Sequence, residues 1–278
     1  MKMLLCSKMN GNGNDFIMID NMDRKYGTEA LSSLALNICR RREAVGADGI
    51  LAAEPSEHAD FKMRLFNRDG SEGEMCGNGS RCIARYALEK GIVNKSDMIF
   101  ETLGGDVHAS VNGPMVTLHL APVSLKNVIV GAPAEVDGVA FNYTFLTVGV
   151  PHTVIFEKSR SRTRDGYAAF GRAVRNIKEL FPEGTNVNFA VPTDGSLDVL
   201  TYARGVEDLT LSCGTGSVAS AVASYLSGIT GNCVDVKNPG GINKVALSFD
   251  SCECVYPKLE GRTVFVADIS ISDELLDY

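Results

Sequence analysis

One pattern occurs twice in this chain and constrains its fold more than any other feature. Met75-Cys76-Gly77-Asn78-Gly79-Ser80 is followed by a helical stretch, Arg81–Lys90, and a stop glycine, Gly91. Ser212-Cys213-Gly214-Thr215-Gly216-Ser217 is followed by Val218–Ser227 and Gly228. Upstream, Phe61–Phe66 and Val199–Ala203 both read as strands, and Asn67 and Arg204 each lie nine residues before their cysteine. A strand, a loop, Cys-Gly-x-Gly-Ser and a helix, twice in the same order, point to two similar domains. The turn-rich stretch Ala121-Pro122-Val123-Ser124 between them sets the expected boundary: 1–122 for the first domain and 123–263 for the second. A strand near 264–278 is expected to return to the first.

The rest of the chain is rich in short β-branched runs. Further strands are expected at Phe16–Asp20, Val116–Leu120, Phe145–Val148, Thr153–Phe156, Val187–Val191, Lys244–Phe249 and Thr263–Ile271. Helices are expected from Thr28 to about Arg41, Gly79 to Lys90, Asp165 to Asn176 and Gly216 to Ser227. Strands outnumber helices and do not alternate with them one for one, which gives an α+β fold with antiparallel or mixed sheets.

At 278 residues the chain is long enough for two cores. Its net charge of −7 and scattered basic residues argue against nucleic acid, whose binding depends on neutralising phosphates. Arg40-Arg41-Arg42, the one basic run, reads as a solvated helix end. No run approaches the roughly 20 apolar residues that span a bilayer, and the N-terminus lacks a signal-peptide pattern. The expectation is therefore a cytoplasmic protein that contacts neither membrane nor nucleic acid.

In that setting the eight cysteines read as thiols, not disulfides. Cys6, Cys39, Cys82 and Cys233 read as small buried hydrophobes. Cys252 and Cys254 form a lone C-x-C that alternation along a strand explains, so no metal site is expected. Gly11-Asn12-Gly13-Asn14 has Phe16 where a dinucleotide fingerprint needs its third glycine, and it precedes a strand instead of following one.

Cys76 and Cys213 are different. A helix starting in either Cys-Gly-x-Gly turn leaves its first N–H groups unpaired, and its dipole adds positive charge there. Such an end holds a carboxylate and favours a thiolate, so both cysteines are expected to have lowered pKa values. Facing each other across a cleft, the two turns would hold a small amino acid with one sulfur on each side of its α-carbon. That arrangement inverts a stereocentre: one thiolate takes the α-proton and the opposite thiol supplies another. His152, after Pro151 and near a strand end, is a candidate for a role beside the thiols.

These residues, together with Lys8–Phe16, Val45–Ile50, Phe66–Glu72 running into Met75–Cys82, and Phe181–Phe189, resemble the diaminopimelate epimerase family over nearly the whole chain. The resemblance implies two similar domains, each a barrel-like mixed sheet around a central helix, related by a pseudo-two-fold, with the site in the cleft between them. It implies a racemase or epimerase that needs no pyridoxal phosphate or other cofactor. The implied reaction interconverts LL- and meso-diaminopimelate, a step of lysine and peptidoglycan precursor synthesis. It casts Cys76 and Cys213 as the acid/base pair, with the reacting carboxylate on the backbone of Gly77, Asn78, Gly214 and Thr215. It makes Asn14, Asn67, Asn186 and Arg204 substrate-binding positions and His152 a residue that tunes the cysteines. It also implies a homodimer. Two positions depart from the family pattern: Val150 replaces the asparagine of Asn-Pro-His, and Ala203 replaces the glutamate before the binding arginine. Losing one charge-assisted hydrogen bond costs about 1.5–3 kcal/mol. A racemase of another amino acid with a polar or acidic side chain is therefore the alternative, and a binding relative without catalysis the third reading.

Overall fold

A computed structural model describes residues 3–250 and 253–275. Chain contacts divide the protein into two units. The first runs to Leu118 and resumes at Gly261, and the second covers His119–Glu260. The first division thus falls at the end of a strand, just before the expected turn at Pro122.

The first unit contains β1 (Met3–Gly11), β2 (Asn14–Asp20), α1 (Thr28–Ile38), β3 (Gly49–Glu54), β4 (Phe61–Asn67), β5 (Glu72–Gly73), α2 (Gly77–Glu89), β6 (Asp97–Glu101), β7 (Val107–Asn112) and β8 (Met115–His119), the last residue of which begins the second unit. The second continues with β9 (Val123–Ser124), β10 (Ile129–Val136), β11 (Val139–Val148), β12 (Val150–Phe156), α3 (Arg164–Arg175), β13 (Asn186–Thr193), β14 (Ser196–Ala203), β15 (Asp208–Thr210), α4 (Gly214–Leu226), β16 (Cys233–Asn238) and β17 (Gly241–Phe249). The long β18 (Cys254–Ser272) starts in the second unit, against β9, and ends in the first, against β1. Residues 276–278, the end of the expected returning segment, lie outside the described residues.

The repeat seen in the turns extends to strand pairing. In the first unit β1–β2 is antiparallel, β2–β3 parallel, β3–β4 antiparallel, β4–β5 antiparallel, β4–β6 parallel and β6–β7 antiparallel. In the second unit β11–β12, β12–β13, β13–β14, β14–β15, β14–β16 and β16–β17 follow the same sequence of directions. Each unit is thus the same α+β design, a mixed sheet with one outer and one central helix.

The helices divide by composition. α1 buries Leu31, Leu34, Ala35 and Ile38, one face at i, i+3, i+4 and i+7. α3 buries Tyr167, Phe170, Gly171 and Val174 at the same spacing. It is capped by Thr163, whose side chain accepts from Gly166 N–H, and has Asp165 in its first turn and Arg172 and Arg175 in its last. α2 and α4 have no solvent face over most of their length. α4 buries every residue from Gly216 to Ser224, and α2 every residue from Asn78 to Ala84. Their small side chains let strands pack on all sides, which makes them the central helices. Around α4, Val218, Ala219, Val222 and Ala223 pack with Val199, Val236, Val245 and Leu259 in one core.

α1 stops at Ile38, short of the expected Arg41, and the arginine run lies in the turn beyond it. Both central helices start two residues earlier than the glycine expected to open them, so their cysteines become the caps.

Candidate active site

Asn12-Gly13 turns β1 into β2 with both residues at positive φ, 50° and 93°. This is the backbone of a two-residue hairpin turn of type I′, which Asn-Gly favours. The turn makes Asn14 the first residue of β2. Its side-chain N–H donates to Asp48 Oδ2 at 3.0 Å, and its Oδ1 accepts from Asn78 Nδ2 at 2.6 Å. Asn78 Oδ1 in turn accepts from Arg81 Nη2 at 2.6 Å. Asp48 is held by Arg41 at 2.9 Å, and Arg41 and Lys8 converge on Asp15. Burial would raise the Asp15 carboxyl, but the hydrogen bonds from Arg41 and Lys8 outweigh it and hold it below the usual range. Arg41 thus stays solvent-exposed just beyond the helix end, as expected, but also clamps the two aspartates behind Asn14.

This chain of contacts leads to Cys76. The cysteine is the N-cap of α2, with φ −138° and ψ 118°, and is half-buried. Gly77 and Asn78 follow as the first helical residues. Asn67 ends β4, exposed, with its side-chain N–H donating to Ser71 Oγ at 3.1 Å.

Cys213 caps α4 with nearly the same backbone, φ −127° and ψ 114°. Its Sγ accepts from Gly216 N–H at 3.3 Å and lies 3.5 Å from Thr215 Oγ1. The expected lowering of its pKa is not met. Burial raises the thiol, and the hydrogen bonds from Thr215 and Gly216 only partly offset that. The helix end favours the thiolate as expected, but removing the sulfur from water costs more.

Beneath this turn lies a polar cluster. Asn188, on β13, donates to His152 Nδ1 at 3.1 Å and to the Thr153 carbonyl at 3.1 Å, and accepts from Thr201 Oγ1 at 2.9 Å. A Cβ on Gly216 would meet Asn188 Oδ1 at 2.4 Å, so only glycine lets the helix seat on this amide. Both Asn188 amide hydrogens are committed, so His152 Nδ1 is an acceptor and its proton sits on Nε2. That Nε2 is buried without a hydrogen-bond partner among the described residues. Burial, with Arg204 adding to it, pushes His152 down to about 3, so it is neutral at physiological pH.

Asn186 begins β13, two residues before Asn188 on the same strand. Its Oδ1 accepts from Arg204 N–H at 2.7 Å, and the Arg204 guanidinium donates to the Glu183 carbonyl at 3.2 Å. Asn186 is also the β-bridge partner of His152. Val150 opens β12 and is half-buried, while Ala203 ends β14 and is buried.

The first unit therefore gathers Asn14, Cys76, Gly77 and Asn78, with Asn67 at the end of a neighbouring strand. The second gathers His152, Asn186, Arg204, Cys213, Gly214 and Thr215. Four further residues escaped the sequence reading as functional: Arg41, Asp48, Arg81 and Asn188. Asn188 left a trace there, a second asparagine two positions after Asn186 in a strand that reads as buried throughout. Arg81 left another, a charge in the first turns of a helix between the small residues Gly79-Ser80 and Cys82. Among the other cysteines Cys6, Cys39 and Cys82 are buried as expected, but Cys233 is exposed at the start of β16. Cys254 begins β18 and is half-buried, and Cys252 lies outside the described residues. Among the described residues no group of three or more His, Cys, Asp or Glu side chains is placed to hold a metal ion.

Comparison with known proteins adds an independent line. A sequence model of the family described as diaminopimelate epimerase matches residues 6–124 and 144–257. A diaminopimelate epimerase of Caldanaerobacter subterraneus subsp. tengcongensis is 41% identical over 281 aligned positions, covering 95% of this chain and 99% of that protein. One of Archaeoglobus fulgidus is 41% identical, covering 88% and 90%. Among solved structures, a hydroxyproline epimerase from Agrobacterium vitis with bound trans-4-hydroxy-L-proline superposes with a TM-score of 0.69 at 16% identity, covering 97% of this chain and 92% of that one. A PhzF-family phenazine biosynthesis protein of Bacillus anthracis gives 0.71 at 15% identity, covering 98% and 100%. At such identities these two share the fold alone.

Proposed function

The chain belongs to the diaminopimelate epimerase family, and from that premise we propose that it is an isomerase that interconverts LL- and meso-diaminopimelate with Cys76 and Cys213 as its two acid/base groups. The observation that carries this reading is the duplicated cap. Two cysteines have the same backbone conformation at the N-termini of two equivalent central helices. One thiolate takes the α-proton, and the C–H electron pair moves into the carboxylate. The opposite thiol gives its proton to the other face of the α-carbon and is left as the thiolate. The charge that builds on the carboxylate meets the first N–H groups of the helices, at Gly77 and Asn78 and at Gly214 and Thr215, which are already oriented for it. In this scheme Asn14, Asn67, Asn186 and Arg204 bind the substrate, and His152 acts on the cysteines as a neutral imidazole.

The scheme needs no pyridoxal phosphate, because the thiols and helix ends supply both proton transfer and charge stabilisation. We assign the protein to the cytoplasm and to lysine and peptidoglycan precursor synthesis, and expect a homodimer that contacts neither nucleic acid nor membrane.

The test is solvent deuterium incorporation at the α-carbon, followed with chiral chromatography. Cys76→Ala and Cys213→Ala should each abolish racemising turnover, and full activity in either variant would overturn the two-thiol assignment. A second reading is favoured by Val150 and Ala203, two apolar side chains at positions where the family carries polar ones. It makes the chain a racemase of another amino acid with a polar or acidic side chain. A panel of amino acids separates the two: turnover of diaminopimelate above all others excludes the second.

A further inference from the structure

Arg81 is the largest fully buried side chain in the described protein. Its Nη2 donates to Asn78, but Nε and Nη1 have no hydrogen-bond partner among the described residues. The backbone of β18 lies directly against it: a Cβ on Gly261 would sit 2.8 Å from Nε. No carboxylate pairs with it among the described residues. Arg85, the next cation on α2, is already engaged by Glu89 and the Thr263 carbonyl. A guanidinium does not shed its proton in proteins, so its burial demands an anion.

Two thiols on the same helix, Cys82 and Cys76, are close enough that their thiolates would favour its charge. Cys82 is excluded as a thiolate, because burial pushes it up to about 12. Cys76, the half-buried cap five residues back at the start of α2, remains. Electrostatic coupling is mutual: if a Cys76 thiolate stabilises charged Arg81, then charged Arg81 stabilises the thiolate.

The second unit is built differently at each corresponding point. The fifth residue after Cys213 is Val218, where the fifth after Cys76 is Arg81. Under Gly79 lies Leu51, paired across strands with Leu65; under Gly216 lies Asn188, paired with Thr201. One cysteine therefore caps a helix that buries a cation over an apolar bed, and the other a helix seated on a neutral polar bed with an uncharged histidine.

We propose that Arg81 is the counter-charge of Cys76, so that the resting protein carries Cys76 as the thiolate and Cys213 as the thiol. Arg81 is a positioning residue: it sets the state of Cys76 and orients Asn78, and it does not touch the reacting atoms. The significance for catalysis rests on the two-thiol reading above, but the charge assignment does not. It states which thiol is the base in the first turnover of substrate-free protein.

The experiment is iodoacetamide alkylation of the full-length, substrate-free protein across pH, read for the Cys76 and Cys213 peptides separately by mass spectrometry. Cys76 should have its midpoint at least about one pH unit below that of Cys213. Arg81→Gln should slow Cys76 alkylation at pH 7 about tenfold or more, as expected for a one-unit rise, and leave Cys213 unchanged. Arg81→Lys should keep most of the wild-type profile. A folded Arg81→Gln protein with an unaltered Cys76 profile overturns the proposal, and would reassign Arg81 to the substrate carboxylate or to packing. If Arg81→Gln does not fold, the wild-type comparison decides by itself, and a Cys76 midpoint at or above that of Cys213 refutes it. Epimerase activity enters none of these readings, so failure of the functional assignment is seen separately.

Discussion

Replacing Asn188 by aspartate changes no volume, yet it should reverse how the second unit responds to pH. The wild-type amide donates to His152 Nδ1 and to the Thr153 carbonyl and accepts from Thr201. Aspartate keeps the acceptor and loses both donors. The Thr153 carbonyl then faces a carboxylate, and His152 can bond only by moving a proton to Nδ1. At about 1–3 kcal/mol for each buried group left unpaired, the variant should be destabilised by about 2–4 kcal/mol near neutrality. In the wild type, burial holds His152 at about 3 against 6.5 for a free imidazole. Between those values the unfolded chain binds a proton that the folded one does not. This group's contribution to stability therefore falls as pH drops through that window, by up to about 1.4 kcal/mol per unit. In Asn188→Asp the carboxylate and imidazole share one proton in the folded state. From about pH 4 to 6.5 the unfolded chain also holds one, on histidine, so the dependence flattens. Above 6.5 the unfolded chain releases it and the folded pair does not, so stability falls as pH rises. Urea titrations at unit intervals from pH 4.5 to 8.5 measure both slopes. A variant that kept the wild-type slope below pH 6.5 would refute the donor–acceptor assignment and with it the Nε2–H tautomer of His152.

Three further outcomes follow from the same geometry. Thr215→Val removes a hydroxyl 3.5 Å from Cys213 Sγ that helps lower the thiol, so Cys213 alkylation should move to higher pH; an unchanged profile would show that the contact carries no weight. Gly261→Ala drives a Cβ to 2.8 Å from the buried Arg81 guanidinium and should cost about 1–3 kcal/mol, visible as a lowered melting temperature. Val150→Asn combined with Ala203→Glu restores the polar pair of the family. It should raise kcat/KM for diaminopimelate about tenfold or more if that is the native substrate class, and a loss would favour the alternative amino acid.

The proposed reactive core is readable from the sequence because it is local. Cys-Gly-x-Gly-Ser before a stretch of small residues specifies a helix start with a cysteine on it, whatever packs around it. Finding that unit twice with matching upstream strands reveals the duplication, and the strand directions follow it pair by pair. The family resemblance adds Asn14, Asn67, Asn186 and Arg204 as expected substrate-binding positions. What it does not carry is the environment of each thiol, because burial and long-range pairing are properties of the assembled sheet. Asn188 meets His152 only because β12 and β13 run parallel in one register. Asp48 and Arg41 back Asn14 only because β2 and β3 do the same. The helix ends alone predicted two similar, acidified thiols. Packing separates them: desolvation raises Cys213 over its polar bed, while a buried arginine that meets no carboxylate among the described residues lies five residues from Cys76 on the same helix.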